Sequence, residues 1–81
     1  MKAKDVTALA GYKLQVTFDD GISGTINLAE FIQNGIFSSL KEEKLFNKVY
    51  TNGYSIAWSD ELEIDALTVY TEILNRGQRN L

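Results

Sequence analysis

Tyr12-Lys13-Leu14-Gln15-Val16-Thr17-Phe18-Asp19-Asp20-Gly21-Ile22-Ser23-Gly24-Thr25-Ile26-Asn27-Leu28 is the stretch that decides the fold. Apolar and polar residues alternate from Tyr12 to Phe18, the period of a strand buried on one face. A second alternating run, Ile22, Gly24, Ile26 and Leu28, follows the turn signal Asp19-Asp20-Gly21. The register between the two runs follows from their faces. A two-residue Asp20-Gly21 turn pairs Asp19 with Ile22 and puts the isoleucines on the side of Lys13, Gln15 and Thr17. A three-residue loop pairs Phe18 with Ile22, Leu14 with Ile26 and Tyr12 with Leu28, so that both apolar sets share one face. A slip of one residue flips every side chain, so the three-residue loop is expected. Its third position requires a left-handed backbone, and Gly21 stands there.

Working outward, Asp5-Val6-Thr7-Ala8-Leu9 reads as a weaker strand joined to the first by Ala10-Gly11, completing a three-stranded meander. Downstream, Asn27 and Glu30 have the spacing of a capping box, with Leu28, Phe31 and Ile32 as the apolar side of a short helix ended by Asn34-Gly35. Ile36 to Leu40 reads as a turn. A short charged helix from Lys41 to Phe46 is expected to anchor Leu45 and Phe46 in the core. A second hairpin is expected from Lys48 to Trp58, with a two-residue Asn52-Gly53 turn pairing Val49 with Ile56 and Thr51 with Tyr54. Leu67, Tyr70, Ile73 and Leu74 recur at helical spacing over residues 66–75, with Asp65 as N-cap and Gly77 as the stop.

Composition narrows the function classes. The 81 residues include no cysteine and no histidine, which removes thiolate metal sites, disulfides and the commonest general base. The net charge is −3, the wrong sign for holding nucleic acid by its phosphates. Residues 1–48 carry six lysines against six acids, and residues 49–81 carry two arginines against five acids. No basic stripe forms, and Tyr12, Phe18, Tyr54 and Trp58 fall on apolar strand faces, where they read as core and not as a stacking platform. No apolar run approaches the ~20 residues that span a bilayer, and the opening Met1-Lys2-Ala3-Lys4 is not that of a signal peptide, so a cytoplasmic location is expected. The one cluster that could carry chemistry is Asp60, Glu61, Glu63 and Asp65, since alternating carboxylates can hold a hard cation. Nothing in the sequence supplies an activated nucleophile beside them, and the segment reads as a solvated loop ending in a helix cap. No catalytic, cofactor-binding or metal-binding residue is assigned.

Taken together, these residues resemble a small bacterial family catalogued as domain of unknown function 2442. The resemblance runs from about Val6 to Leu74. It rests on Tyr12-x-Leu14-x-Val16-x-Phe18-Asp19-Asp20-Gly21, Gly24-x-Ile26-Asn27-Leu28, Phe37-x-x-Leu40 with Leu45-Phe46, then Ile56-x-Trp58, Glu63-Ile64-Asp65 and Val69-Tyr70. The chain departs from the family pattern after the tryptophan, where Ser59-Asp60-Glu61 replaces proline and an Asn-Gly pair, and at Ala66, where a proline is usual. The resemblance implies an α+β domain that occurs alone or joined to a helix-turn-helix domain, the latter not expected within these 81 residues. It also implies no established enzymatic activity and a partner-binding or toxin–antitoxin-like role.

The expectation is therefore a single α+β domain over residues 1–81: an antiparallel meander, a second hairpin, short helices and a C-terminal helix packed on the sheet. Below ~80 residues one core rarely supplies more than about 3–5 kcal/mol, and association covers open strand edges. A non-catalytic protein-interaction module is expected, as a homodimer or with a small protein partner, without direct nucleic-acid binding and without a membrane. The alternative is an accessory domain in transcriptional or toxin–antitoxin-like regulation that acts on DNA only through a partner. A metal-assisted hydrolase using the 60–65 carboxylates stands third.

Overall fold

The computed structural model describes residues 2–79, with side chains through residue 76. Its first sheet is the meander β1 (Ala3–Leu9), β2 (Lys13–Phe18) and β3 (Ser23–Asn27), in spatial order β1-β2-β3. Leu14 lies opposite Ile26 and Val16 opposite Gly24. The Phe18 N–H donates to Ile22 O at 2.8 Å and the Gly21 N–H to Phe18 O at 3.1 Å. This is the expected three-residue loop, with Gly21 at φ +90° and Asp20 Oδ1 accepting the Ile22 N–H. The apolar face of β2 is sealed: Leu14, Val16 and Phe18 are buried. Each such side chain taken out of water contributes about 1.5–3 kcal/mol.

The β1–β2 loop is one residue longer than the sequence suggests. Leu9 pairs with Lys13, so Tyr12 is a loop residue with φ +60° and not the first residue of the strand. Its ring meets Phe46 edge-on at 5.3 Å, and its hydroxyl donates to Lys41 O. Those two contacts hold a non-glycine residue in a left-handed conformation it rarely adopts alone.

The segment after β3 differs from the expected capped helix. Asn27 Oδ1 accepts the Ala29 N–H across a local turn, and Glu30 completes no capping box. Two 3₁₀ segments follow, Phe31–Gln33 and Gly35–Lys41, so the stretch expected as a turn is helical. They bury Ile32 and Leu40, and α1 (Glu43–Phe46) buries Phe46 while Leu45 stays half-buried.

The second sheet has three strands where a hairpin was expected: β4 (Tyr50–Thr51), β5 (Ser55–Ala57) and β6 (Glu63–Asp65), in that order. Thr51 lies opposite Ile56, not Tyr54, so the β4–β5 loop runs over four residues. Asn52 causes the shift: its Oδ1 accepts the N–H of Tyr54 at 2.8 Å and of Ser55 at 2.9 Å. The loop therefore closes on a side chain, and the slip by two keeps the strand faces unchanged. Tyr54 leaves the expected core face and is 65% exposed, with the Lys2 ammonium 5.1 Å from its ring centre.

Helix α2 (Ala66–Arg79) lies on the meander, and Gly77 does not end it. Ala66, Val69 and Ile73 are its buried residues, with Tyr70 half-buried; Leu67 and Leu74 face solvent, against expectation. Small Ala66 turns inward because its N–H donates to Tyr54 O directly after β6, which fixes the phase of the helix. Ile73 sits so close to Gly24 that a Cβ there would lie 2.7 Å from Ile73 Cγ2. Trp58 joins the two halves of the core: it packs on Phe46 and Phe37, and its Nε1–H donates to Phe46 O at 2.9 Å.

Candidate interaction surface

The acidic segment is spread along a turn and a strand. Ser59 Oγ accepts the N–H groups of Glu61 and Leu62, and the Trp58 N–H donates to Leu62 O, so Ser59–Leu62 is a tight β5–β6 connection. Asp60 and Glu61 stand at its tip, Glu63 and Asp65 lie on β6, and all four are exposed. Asp65 Oδ1 accepts the Leu67 N–H at 3.2 Å and caps α2, as the sequence indicated. Among the described residues no three acidic side chains gather where they could hold a metal ion.

The polar pair with perturbed titration lies elsewhere. The Tyr70 hydroxyl donates to Asp20 Oδ2 at 2.5 Å, tying α2 to the Gly21 loop. That bond, with the Ile22 N–H, holds the Asp20 carboxyl below its ordinary value. The same bond pushes the Tyr70 phenol upward, helped by desolvation and by the acidic charge beside it. Both groups are explained by fixing the loop to the helix.

The more open feature is the outer edge of β1. Tyr12 O accepts from Leu28 N–H and Phe18 N–H donates to Ile22 O, so the even residues of β2 turn their backbone groups toward β3. Its odd residues turn toward β1, which makes Asp5–Thr17, Thr7–Gln15 and Leu9–Lys13 the hydrogen-bonded pairs. Val6 and Ala8 therefore turn their N–H and C=O groups away from β2, and among the described residues no strand pairs with β1 on that side, although β4 packs against it. The N-terminal end of this edge is occupied and guarded. Ala3 N–H donates to Gly53 O at 2.8 Å, and a bulge places exposed Lys4 next to it. Beyond Asp5, the run Val6-Thr7-Ala8-Leu9-Ala10 carries no charge. It borders a cleft of about 530 Å³ whose far wall is Glu43, Phe46, Asn47 and Val49.

The family model described as "Protein of unknown function (DUF2442)" matches residues 3–75. The chain belongs to this family. No curated protein and no solved structure matches it. The residues that carried the resemblance to DUF2442 prove to be fold-determining. Gly21 shapes the first loop, Phe18 meets Tyr70 edge-on at 4.9 Å, Trp58 bridges the core and Asp65 caps α2. Surface apolar residues complete the picture of this DUF2442 chain. Phe31 and Ile36 are 47% and 67% exposed, with the Phe31 ring tilted against Phe37 at 4.8 Å, and Leu67 is 56% exposed near Tyr54. Among the described residues no helix is long and apolar enough to cross a membrane.

The open β1 edge was not singled out by position in the sequence. The signal that could have found it is the uncharged run after Asp5 in the strand that opens the meander, since an edge strand without inward or flanking charges invites pairing.

Proposed function

We propose that the chain is a non-catalytic protein-interaction module that receives a partner strand along β1. The observation that carries this reading is the unpaired, uncharged β1 edge beside an open cleft. Val6 and Ala8 present backbone donors and acceptors there, and Phe46 and Val49 supply an apolar wall. Strand addition of this kind draws affinity from main-chain hydrogen bonds and specificity from the pockets that receive alternate side chains. The net charge of −3 fits a protein partner better than a phosphate backbone, so any effect on DNA would pass through that partner.

Photo-crosslinking from position 9 in living host cells tests the reading, with position 25 on the solvent face of β3 as control. A discrete crosslinked protein from Leu9 and none from Thr25 is the expected result. Equal labelling from both positions, or none from Leu9, would remove the support for this surface.

A further inference from the structure

We infer that Asn34 is a modification site: in the folded chain its side-chain amide is lost to attack by the Gly35 backbone nitrogen, leaving aspartate and isoaspartate. The reaction is fastest where the residue after asparagine has no Cβ, because its nitrogen then reaches the amide carbon unhindered. Asn34-Gly35 and Asn52-Gly53 are such pairs, and Asp20-Gly21 is open to the same ring closure.

The fold ties down the pairs in the two hairpins. Asn52 Oδ1 accepts the N–H groups of Tyr54 and Ser55 at 2.8 and 2.9 Å, and the Gly53 N–H donates to Thr51 Oγ1 at 3.1 Å. Gly53 is also buried. In the first hairpin the Gly21 N–H donates to Phe18 O, while the Asp20 oxygens accept from the Ile22 N–H and the Tyr70 hydroxyl. Nucleophile and electrophile are both engaged at each of these places. Asn34 is different. It joins the two 3₁₀ segments in an extended backbone, φ −132° and ψ 161°, and its side chain caps neither. Asn34 and Gly35 are both exposed. Among the described residues the Gly35 N–H reaches no backbone carbonyl, and the space about its Cα is open.

The Gly35 N–H gives its proton to hydroxide, and the nitrogen attacks Asn34 Cγ. The new N–Cγ bond forms as the Cγ–Nδ2 bond breaks, and ammonia leaves with a proton returned by water. One water then opens the cyclic imide. Cleavage at Cγ restores a normal backbone with aspartate; cleavage at the main-chain carbonyl routes the chain through Cβ and Cγ as isoaspartate. Either product adds one negative charge to the net −3. That charge falls between exposed Phe31 and Ile36 in the sequence, so the modification marks an apolar surface.

Ageing of the purified full chain in mildly alkaline buffer, followed by peptide mapping with mass spectrometry, tests the assignment. Electron-transfer fragmentation separates aspartate from isoaspartate. In the folded chain Asn34 should be lost roughly tenfold or more faster than Asn52, which must first break several hydrogen bonds. In concentrated urea the two rates should converge, because only the fold distinguishes the pairs. Asn34→Gln, shown to fold by circular dichroism, should remove most of the ammonia that the folded chain releases. Comparable loss at Asn52 and Asn34 in the folded chain would overturn the assignment. So would an Asn34 that stays intact when folded yet is lost in urea, or one that yields aspartate without isoaspartate.

Discussion

Gly24 offers a test of how α2 is seated on the meander. Its backbone is not left-handed, so alanine meets no conformational strain there, and a Gly→Ala change at such a site stabilises by about 0.4–1 kcal/mol through the unfolded chain. Against that gain stands Ile73, whose Cγ2 would lie 2.7 Å and Cγ1 3.3 Å from the new Cβ. Isoleucine is branched at Cβ and stiff about χ1, so it cannot swing both branches clear. Overpacking of this kind costs about 1–3 kcal/mol, which leaves Gly24→Ala destabilising by about 1–2 kcal/mol net. With Ile73→Ala only the Cβ remains, at 3.5 Å, an ordinary contact. Gly24→Ala should then be neutral or stabilising by up to about 0.5 kcal/mol, giving a coupling on the order of 2 kcal/mol. Urea unfolding of the wild type, both single variants and the double variant measures it, with sucrose present to keep the Ile73→Ala background folded. Equal effects of Gly24→Ala in both backgrounds would refute the close seating of the helix.

Other predictions concern the loops. Gly21→Ala should lower stability by about 1 kcal/mol or more, because alanine resists the φ of +90° that the three-residue loop needs; urea midpoints compare it with wild type. Asp65→Ala should cost about 0.5–2 kcal/mol through the lost cap of α2, by the same assay and equally with and without added magnesium. Tyr70→Phe should lower the melting temperature at neutral pH. The contribution of Asp20, whose carboxyl is depressed in the folded chain, is complete above the ordinary aspartate range and is lost as pH falls through the folded value. The raised Tyr70 phenol contributes below the ordinary tyrosine range and loses that contribution as pH rises through its folded value. The gap between wild type and Tyr70→Phe should accordingly narrow at both the acid and the alkaline end of a melting series; a gap constant with pH would contradict the pairing.

How much of this could be read beforehand depended on whether a residue's role was set by its own face or by a distant side chain. The first hairpin was legible because three apolar pairs and one glycine demanded the same register. The second was not, since Asn52-Gly53 suits a two-residue turn equally well, and only the Asn52 amide reaching Tyr54 and Ser55 lengthens it. Strand β6 was hidden by its brevity and its acids, and half-buried Leu62 and Ile64 are what set this segment against the core. The phase of α2 was misjudged because large Leu67 outweighs small Ala66 in an apolar pattern, whereas the bond from the Ala66 N–H to Tyr54 O decides it. In the acidic segment, the cap at Asp65 was legible from local spacing. The β1 edge emerged only when strand order and hydrogen-bond parity showed which backbone groups face outward.

The central claim is that the outward backbone of β1 is where a partner strand pairs, and amide hydrogen exchange at Val6 and Ala8 tests it most directly. Followed by nuclear magnetic resonance, both amides should exchange quickly in the free chain and slowly once the partner captured from position 9 is bound, whereas Thr7, already bonded to Gln15 across the hairpin, should change far less. Val6 and Ala8 amides that still exchange fast with that partner bound would contradict it.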